Sequence, residues 1–343
     1  MSKKILFAIW NDVHLSVENY SEVLVSTRHM VKYLLENKID ILINNGDFFH
    51  SRSHQTQEVL TTANLMLEVI HEAGIRHIIN VGNHDRQSYF KSESFLDSFR
   101  FHPGVELYDG KITDLQIGGH KVSLSPFFDD SILVPMIDEH EGGDLLLGHW
   151  EMLGSAHLGK VSEKTTITPK TLKKFKKVYL AHFHNHQEIT KDIVHLPSLR
   201  QNSFGEDANK GFSIIYDDLS YSIVPGVFKK FTKFVLDINE LTIEDIKELV
   251  ETHRGSEDTV RFEFTGDETK LRALDLELFS GTGIDVKKKF SKKYKEETTV
   301  KPTLIKKFDR NQIEESFKEF CEEKGYDYGE GVVMLDEFLN KTK

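Results

Sequence analysis

Five short polar clusters carry side chains of the kinds that bind divalent metals. They read Asp12-Val13-His14, Gly46-Asp47-Phe48-Phe49-His50, Gly82-Asn83-His84-Asp85, Gly148-His149 and Ala181-His182-Phe183-His184. Carboxylate, imidazole and amide oxygen together suit borderline ions such as manganese, iron or zinc, and no thiolate is present to favour a softer one. Asp12 and His14 stand two apart, as do His182 and His184, so an extended backbone points each pair to one side. Asp47 has two oxygens with which to bridge two ions. Two ions about 4 Å apart activate a water and stabilise in-line attack on phosphorus. Each cluster has an ordinary reading by itself: Asn, Asp and Gly build turns, and His149 before a tryptophan fits a buried, satisfied histidine. Five such clusters, each after a β-type run, are not five accidents. The histidines are lopsided as well, with 16 of 17 in residues 1–200 and only His253 beyond.

Strands must deliver these clusters. Ile5–Ile9 runs into Asp12 and His14, Ile39–Ile43 into Asp47 and His50, and His77–Val81 into Asn83 and His84. Asp144–Leu147 runs into His149, and Val178–Ala181 into His182 and His184. Further strands are expected at Lys121–Ser125, Ile193–Leu196 and Phe212–Tyr216. Helices are expected at Ser21–Asn37 and Thr56–Ala73, the second with Leu60, Ala63, Leu67 and Ile70 at three- and four-residue steps and Gly74 as its stop. The pattern predicts an α/β fold, on a central sheet or a pair of sheets, with ligands beyond the carboxyl ends of strands.

Composition shifts near Pro225-Gly226, which divides the chain into residues 1–226, a small α+β domain at 227–296, and a tail at 297–343. The α+β part is expected as strand Lys233–Ile238, helix Thr242–His253, strand Thr259–Thr265, helix Asp267–Phe279 and strand Ile284–Phe290. Lys287–Lys295 holds six lysines in nine residues, which suits either a solvated strand edge or a phosphate-contacting one. In the tail, Asp309 and Gln312 resemble a capping box for a helix to about Glu323, and Val332–Leu339 reads as a second helix. Their phenylalanines, Phe317, Phe320 and Phe338, need a body or a partner to pack on.

The totals are those of an ordinary globular protein: 343 residues, 38% hydrophobic and 29% charged. The single cysteine, Cys321, excludes an intramolecular disulfide and fits a reducing, cytoplasmic compartment. The apolar run after Lys3-Lys4 ends at Asn11, too short for a signal peptide, and no stretch is long enough to span a membrane. A net charge of −11 argues against a general nucleic-acid coat protein, but not against an enzyme that holds phosphate through metal ions.

The series DVH, GDFFH, GNHD, GH and AHFH, in that order, resembles the calcineurin-like metallophosphoesterases. GDFFH, ending in histidine, and LPSLRQNSFGED at 196–207 are similar to the SbcD-type DNA repair and recombination nucleases, in the compact form of bacteriophage members. The resemblance covers residues 3–215 and the rest only in layout. It implies a β-sandwich flanked by helices, with a small α+β capping or DNA-recognition domain and a helical tail. It implies two divalent ions, Mn2+ foremost and Mg2+ also permitted. One would be held by Asp12, His14, Asp47 and His184, the other by Asp47, Asn83, His149 and His182. His84 would face the scissile phosphate, Asp85 would orient His84, and His50 would support the site from behind. Arg86 stays outside the catalytic list, as a phosphate contact or a structural ion pair. Ser16 and Ala181 stand where the family usually has glycine. The implied activity is 3′→5′ exonuclease action on double-stranded DNA ends, with single-strand endonuclease action. The implied partners are a second copy docked through the early helices and an SbcC-type coiled-coil ATPase docked on the C-terminal helices. The competing readings are a phosphatase or cyclic-nucleotide phosphodiesterase, and a noncatalytic scaffold for DNA ends.

Overall fold

The first strand already encodes two layers. In β1 (Ile5–Trp10), Phe7 and Ile9 point one way and Ala8 and Trp10 the other, and all four are buried. A strand buried on both faces needs a layer on each side. Phe7 and Ile9 join a core with Ile43, Ile78, Val122, Leu124, Leu145 and Leu147 that lies between two sheets. Ala8 and Trp10 join a second core with Met30, Leu34, Met66, Leu67 and Ile70 from helices.

The protein was studied as a computed structural model, which describes residues 3–290, Leu158 and Lys164 excepted, together with Lys318 and Cys321. In chain order the elements are β1, α1 (Tyr20–Glu36), β2 (Ile41–Asn45), α2 (Gln57–Glu72), β3 (Arg76–Asn80), β4 (Val105–Tyr108), β5 (Thr113–Ile117), β6 (His120–Ser125), α3 (Asp130–Glu139) and β7 (Gly143–Gly148). There follow β8 (Ala156–His157), β9 (Lys160–Val161), β10 (Phe175–Leu180), β11 (Gln187–Thr190), β12 (Ile193–His195), β13 (Gly211–Tyr216) and β14 (Tyr221–Pro225). Last come β15 (Phe231–Asp237), α4 (Ile243–His253), β16 (Thr259–Thr265), α5 (Glu268–Ala273) and β17 (Asp285–Lys288).

One six-stranded sheet has the order β14-β13-β1-β2-β3-β4, the other β11-β12-β10-β7-β6-β5. Both are mixed. β1 to β4 run parallel while β13 and β14 pair antiparallel. β6, β7, β10 and β12 run parallel, flanked by antiparallel β5 and β11. Helices α1 and α2 cover the outer face of the first sheet. Leu133 and Ile137 of α3 cover the second through Leu146, Val178 and Leu180. The result is an α/β/β/α sandwich, and the parallel strands carry the polar clusters at their carboxyl ends.

Residues 231–288 build a small all-parallel sheet, β15-β16-β17, over a core of Ile246, Val250, Phe262, Phe264 and Leu271. The single helix expected over Asp267–Phe279 is broken. Leu274 is extended, and Asp275 accepts the Glu277 amide to start a separate 3-10 turn, Leu276–Phe279. Helix α3 escapes a periodicity reading because it is short and carries Pro135 inside. β17 is an edge strand. Lys288 donates to the Leu274 carbonyl and Lys289 pairs with Glu263, while Lys287 is exposed. The helices expected at 309–323 and 332–339 lie outside the described residues, as does the rest of the lysine run. No helix among the described residues is long and apolar enough to cross a membrane.

Candidate metal centre

Six described residues other than glycine adopt positive φ, and four of them belong to the polar clusters: Asp12 (+48°), His14 (+49°), Asp47 (+54°) and His182 (+77°). Such backbone costs about 1–3 kcal/mol per residue and persists where its surroundings hold it. The hold is visible. Asp12 N–H donates to the Gly46 carbonyl, His14 N–H to Asp47, and Leu15 N–H to Phe48, which zips the loop after β1 to the loop after β2. His182 N–H donates to Asp12 Oδ1 at 3.2 Å and ties in the loop after β10. Ser16 and Ala181 are not among the residues with positive φ, so their side chains bring no backbone strain of that kind.

Glycine matters here for space. A Cβ on Gly82 would lie 2.2 Å from Asp47 Oδ1 and 2.3 Å from Asp47 N, and one on Gly46 would lie 2.2 Å from His149 Nδ1. The ordinary reading of glycine as a turn-builder does not account for Gly82. Its φ is ordinary, and what it supplies is room for Asp47 to sit against the chain.

Three groups of ligand atoms converge; one is all imidazole, His14, His50 and His84, and the other two contain carboxylates. In the first of these two, His14 Nε2 lies 3.0 Å from His184 Nε2, and Asp12 Oδ1 lies 3.8 Å from His184 Nε2. In the second, Asn83 Oδ1 lies 3.2 Å from His149 Nε2 and 2.9 Å from His182 Nδ1. Asp47 Oδ2 belongs to both, 3.5 Å from His14 Nε2 and 3.2 Å from His149 Nε2. Asp12, His14 and His184 have ligand atoms within 4.8 Å of one another, as do Asp47, His149 and His182. The bridging geometry differs from the two-oxygen arrangement expected. Asp47 Oδ1 accepts the His84 backbone N–H at 2.8 Å, so a single oxygen, Oδ2, stands between the groups.

The donor set fits divalent ions on two observations. Asp12 Oδ2 is buried with no hydrogen-bond partner, which costs stability unless a cation meets it. In addition, imidazole nitrogens and carboxylate and amide oxygens, all metal-ligating types, converge at 2.9–3.2 Å, Asn83 Oδ1 facing two histidines at once. Burial and neighbouring charges pull on these ligand side chains in opposite directions. Burial pushes the Asp12 carboxyl up, and the charge of Asp47 adds to this, although His149 and His184 oppose it. Burial also works against Asp47, but His149 and His14 outweigh it and hold that carboxyl well below the usual range. His149 is raised to about 9 because Asp47 and Asp12, with the Asn45 carbonyl, overcome its burial. Burial drives His14 and His182 the other way, well below the ordinary imidazole value. Among these groups, His149 and Asp47 form a buried ion pair at 3.2 Å.

Other residues aim the imidazoles. His149 Nδ1 donates to the Asn45 carbonyl at 2.8 Å and turns Nε2 inward. His184 Nδ1 meets Glu206 Oε1 at 2.8 Å, and Glu206 is steadied by Lys210 and by the Asn202 N–H. Glu206 and Asn45 went unassigned in the sequence. Glu206 lies within the segment 196–207 that carries the nuclease resemblance, which was the available signal.

His84 is half-buried at the mouth, its ring 4.7 Å from that of His14, with Nδ1 donating to the His50 carbonyl at 2.6 Å. His50 therefore acts through its backbone, while its exposed ring approaches His14 Nδ1 at 3.4 Å. Asp85 does not orient His84. It is fully buried and accepts the Phe49 N–H and the Gly82 N–H, both at 2.9 Å, so it staples the two loops. Arg86 is buried too, donating to the Lys91 and Asp109 carbonyls and lying over the Phe128 ring. It is a structural residue with carbonyl partners, not a phosphate contact.

Comparison with known proteins places this geometry. Exonuclease subunit 1 of Enterobacteria phage T4 is 26% identical over 165 residues, 47% of this chain and 48% of that relative. The chain therefore spans about half the length of the curated relative it matches. The crystal structure of the nuclease MPE of Pseudomonas putida is 14% identical with a TM-score of 0.28, over 55% of this chain and 66% of that one. Residues 5–281 match the family described as calcineurin-like phosphoesterase. The chain belongs to the calcineurin-like phosphoesterases, a family of metal-dependent hydrolases.

Proposed function

We propose that this protein is a Mn2+-dependent DNA nuclease subunit, a 3′→5′ exonuclease on double-stranded ends with endonuclease action on single strands. Mg2+ is an admissible substitute. The observation that carries the reading is the pair of ligand groups joined by Asp47 Oδ2, together with similarity to a phage exonuclease subunit. In this reading Asp12, His14, Asp47 and His184 hold one ion, and Asp47, Asn83, His149 and His182 the other. The pair of ions supplies an activated water and neutralises charge on the phosphate. The chain's own residues do the rest. His84, its Nδ1 proton committed to the His50 carbonyl, presents Nε2 at the mouth; as an imidazolium it donates from Nε2 to the phosphate or protonates the leaving oxygen. Asn45 and Glu206 fix which nitrogen of His149 and His184 faces inward.

Further parts of the proposal concern assembly. Val25 and Leu35 of α1 and Leu65 of α2 are exposed apolar side chains on neighbouring helices, which suits a homodimer contact. Residues 227–296 are assigned to capping and DNA recognition, and 297–343 to a coiled-coil ATPase of the SbcC type, on the resemblance stated above.

The test is cleavage of end-labelled linear duplex with Mn2+ by the wild type, Asp47→Ala and His84→Ala. Asp47→Ala is expected to lose bound manganese and all measurable cleavage. His84→Ala should keep its manganese and slow by about 10²–10⁴-fold, the usual range for a lost proton donor. Turnover of a cyclic nucleotide or phosphopeptide without DNA cleavage would sink the nuclease reading. Wild-type rate in Asp47→Ala would sink the shared-oxygen assignment.

A further inference from the structure

A cleft of about 360 Å³ opens beside the second ligand group and shares Asn83 and His182 with it. Asn83 and His182 form its inner end, and Tyr89, Phe127, Asp129, Asp130 and Glu151 line the rest. Its volume falls in the range of small-molecule sites, roughly 300–1,000 Å³.

The walls are aromatic and fixed relative to the metal ligands. The Phe127 ring lies nearly parallel to the His182 ring at 6.1 Å, and the Tyr89 ring meets Phe127 edge-on at 4.8 Å. Backbone hydrogen bonds lock this geometry. Phe127 N–H donates to the Val81 carbonyl, and Asp129 N–H donates to the Tyr89 carbonyl. The strand end that presents Asn83 and the segment that presents Phe127 therefore hold one register. Arg52 lies over the Tyr89 ring at 4.3 Å and steadies it from the side of the loop after β2. Preset, half-buried aromatic rings a few ångströms from a phosphate-cleaving centre suit a flat heterocycle.

The polar lining decides which end of a nucleotide enters. Three carboxylates reach the cleft, each with one oxygen already engaged: Asp129 Oδ1 by Ser131, Asp130 Oδ2 by Thr165 and Thr166, and Glu151 Oε2 by Ser162. The other oxygen of each makes no hydrogen bond within the described residues. Carboxylates repel a phosphate and accept from amino and imino N–H groups. A second phosphate of a DNA strand is thus disfavoured in the cleft, while a base with its donor edge inward is favoured.

We propose that this cleft is a nucleobase pocket: the base next to the scissile phosphate unstacks, packs against Tyr89 and Phe127, and donates from its edge to the free oxygens of Asp129, Asp130 or Glu151. This rests on the nuclease reading and adds the part of the substrate that the enzyme grips. Adenine, cytosine and guanine, which carry exocyclic amino groups, are preferred over thymine, which offers a single N–H between two carbonyls.

The test separates this pocket from the nuclease reading by measuring binding as well as cleavage. Calorimetry of the Mn2+-loaded full chain compares dAMP and dTMP with 2-deoxyribose 5-phosphate, which has the same phosphate and sugar and no base. Wild type is expected to bind dAMP at least about tenfold tighter than the base-free ligand, in line with stacking energies measured by alanine substitution. Tyr89→Ala should lose that advantage while its affinity for deoxyribose 5-phosphate and its manganese content stay put. Asp129→Asn keeps an oxygen for the Ser131 amide and should narrow the gap between dAMP and dTMP. Equal wild-type affinity for dAMP and deoxyribose 5-phosphate overturns the pocket, as does an equal loss for both ligands in Tyr89→Ala. The cleavage arm uses duplexes with a normal or an abasic nucleotide at the cut. Slower cutting of the abasic end by the wild type, and equal cutting of both by Tyr89→Ala, supports the pocket; no cutting of either, with the binding differences intact, faults the nuclease reading and leaves the pocket standing.

Discussion

A buried histidine ligand is only as good as the group that aims it, and Glu206 is that group for His184. The carboxylate meets Nδ1 at 2.8 Å and is itself held well down, to about 2, because His184 and Lys210 outweigh its burial. Glu206→Gln keeps the size and shape but loses the charge, and its amide can donate where an acceptor is needed. The expected result is a fall in Mn2+ affinity of about 10–100-fold, the usual cost of losing such an outer partner, with little change in folding. Titration of metal by calorimetry or electron paramagnetic resonance checks it. Unchanged affinity would remove Glu206 from the site. The ligand types themselves were legible in the sequence because Asp, His and Asn recur beyond apolar runs. Glu206 was not, since its importance depends on a loop from 22 residues further along the chain folding back. Asp85 misled for a related reason: its neighbour in sequence is His84, but its partners are the Phe49 and Gly82 amides.

At the level of elements, the strands that were expected stand within about three residues of their places because buried parallel strands are continuous apolar runs, whereas the shorter or less buried β4, β5, β11 and β14 went unread. β16 begins and ends where the alternation at Thr259–Thr265 places it. Helix α5 was overextended because Leu271, Leu274 and Leu278 keep helical spacing through a break that only Asp275 and its cap reveal. β3 also contains a cost that no pattern shows. His77 is buried beside Trp10 with neither ring nitrogen partnered, and burial, with some help from His102, lowers its pKa to about 3 from 6.5. The folded value lies below the unfolded one, so as pH falls the unfolded chain takes up the proton first. The stability tied to this residue is intact above about pH 6.5 and drains away between there and about 3. At pH 5 the deficit is about 2 kcal/mol, from about 1.36 kcal/mol per pH unit below 6.5. His77→Leu should therefore lose less stability than the wild type between pH 7.5 and pH 5, by about that amount, in urea melts. Parallel losses in the two proteins would show that His77 is not the source.

The whole molecule carries a charge of −11 and, in the function proposed here, has to hold a polyanion. The strand-end clusters made the polar edge legible and the family resemblance implied the sandwich, but surface charge says little about fold and much about partners. Of the three described lysines at the start of the basic run, Lys288 is engaged with the Leu274 carbonyl and Lys289 with Glu263; only Lys287 stands exposed without such a contact. In the proposed function, a net charge of −11 leaves metal ions to supply much of the isolated chain's grip on DNA. Binding through Z phosphates gives a slope of about −0.9Z in log K against log salt. The isolated chain, with Ca2+ in place of Mn2+ to prevent cutting, should therefore bind duplex with a slope shallower than about −3, and chelation should abolish binding. If the proposed coiled-coil ATPase adds phosphate contacts of its own, the slope should steepen in its presence. Removing residues 308–343 should return the mixture to the shallow slope while manganese content stays as in the full chain. A slope near about −6 for the isolated chain would mean that it has a basic footprint of its own, and an unchanged steep slope after the deletion would place the ATPase contact elsewhere.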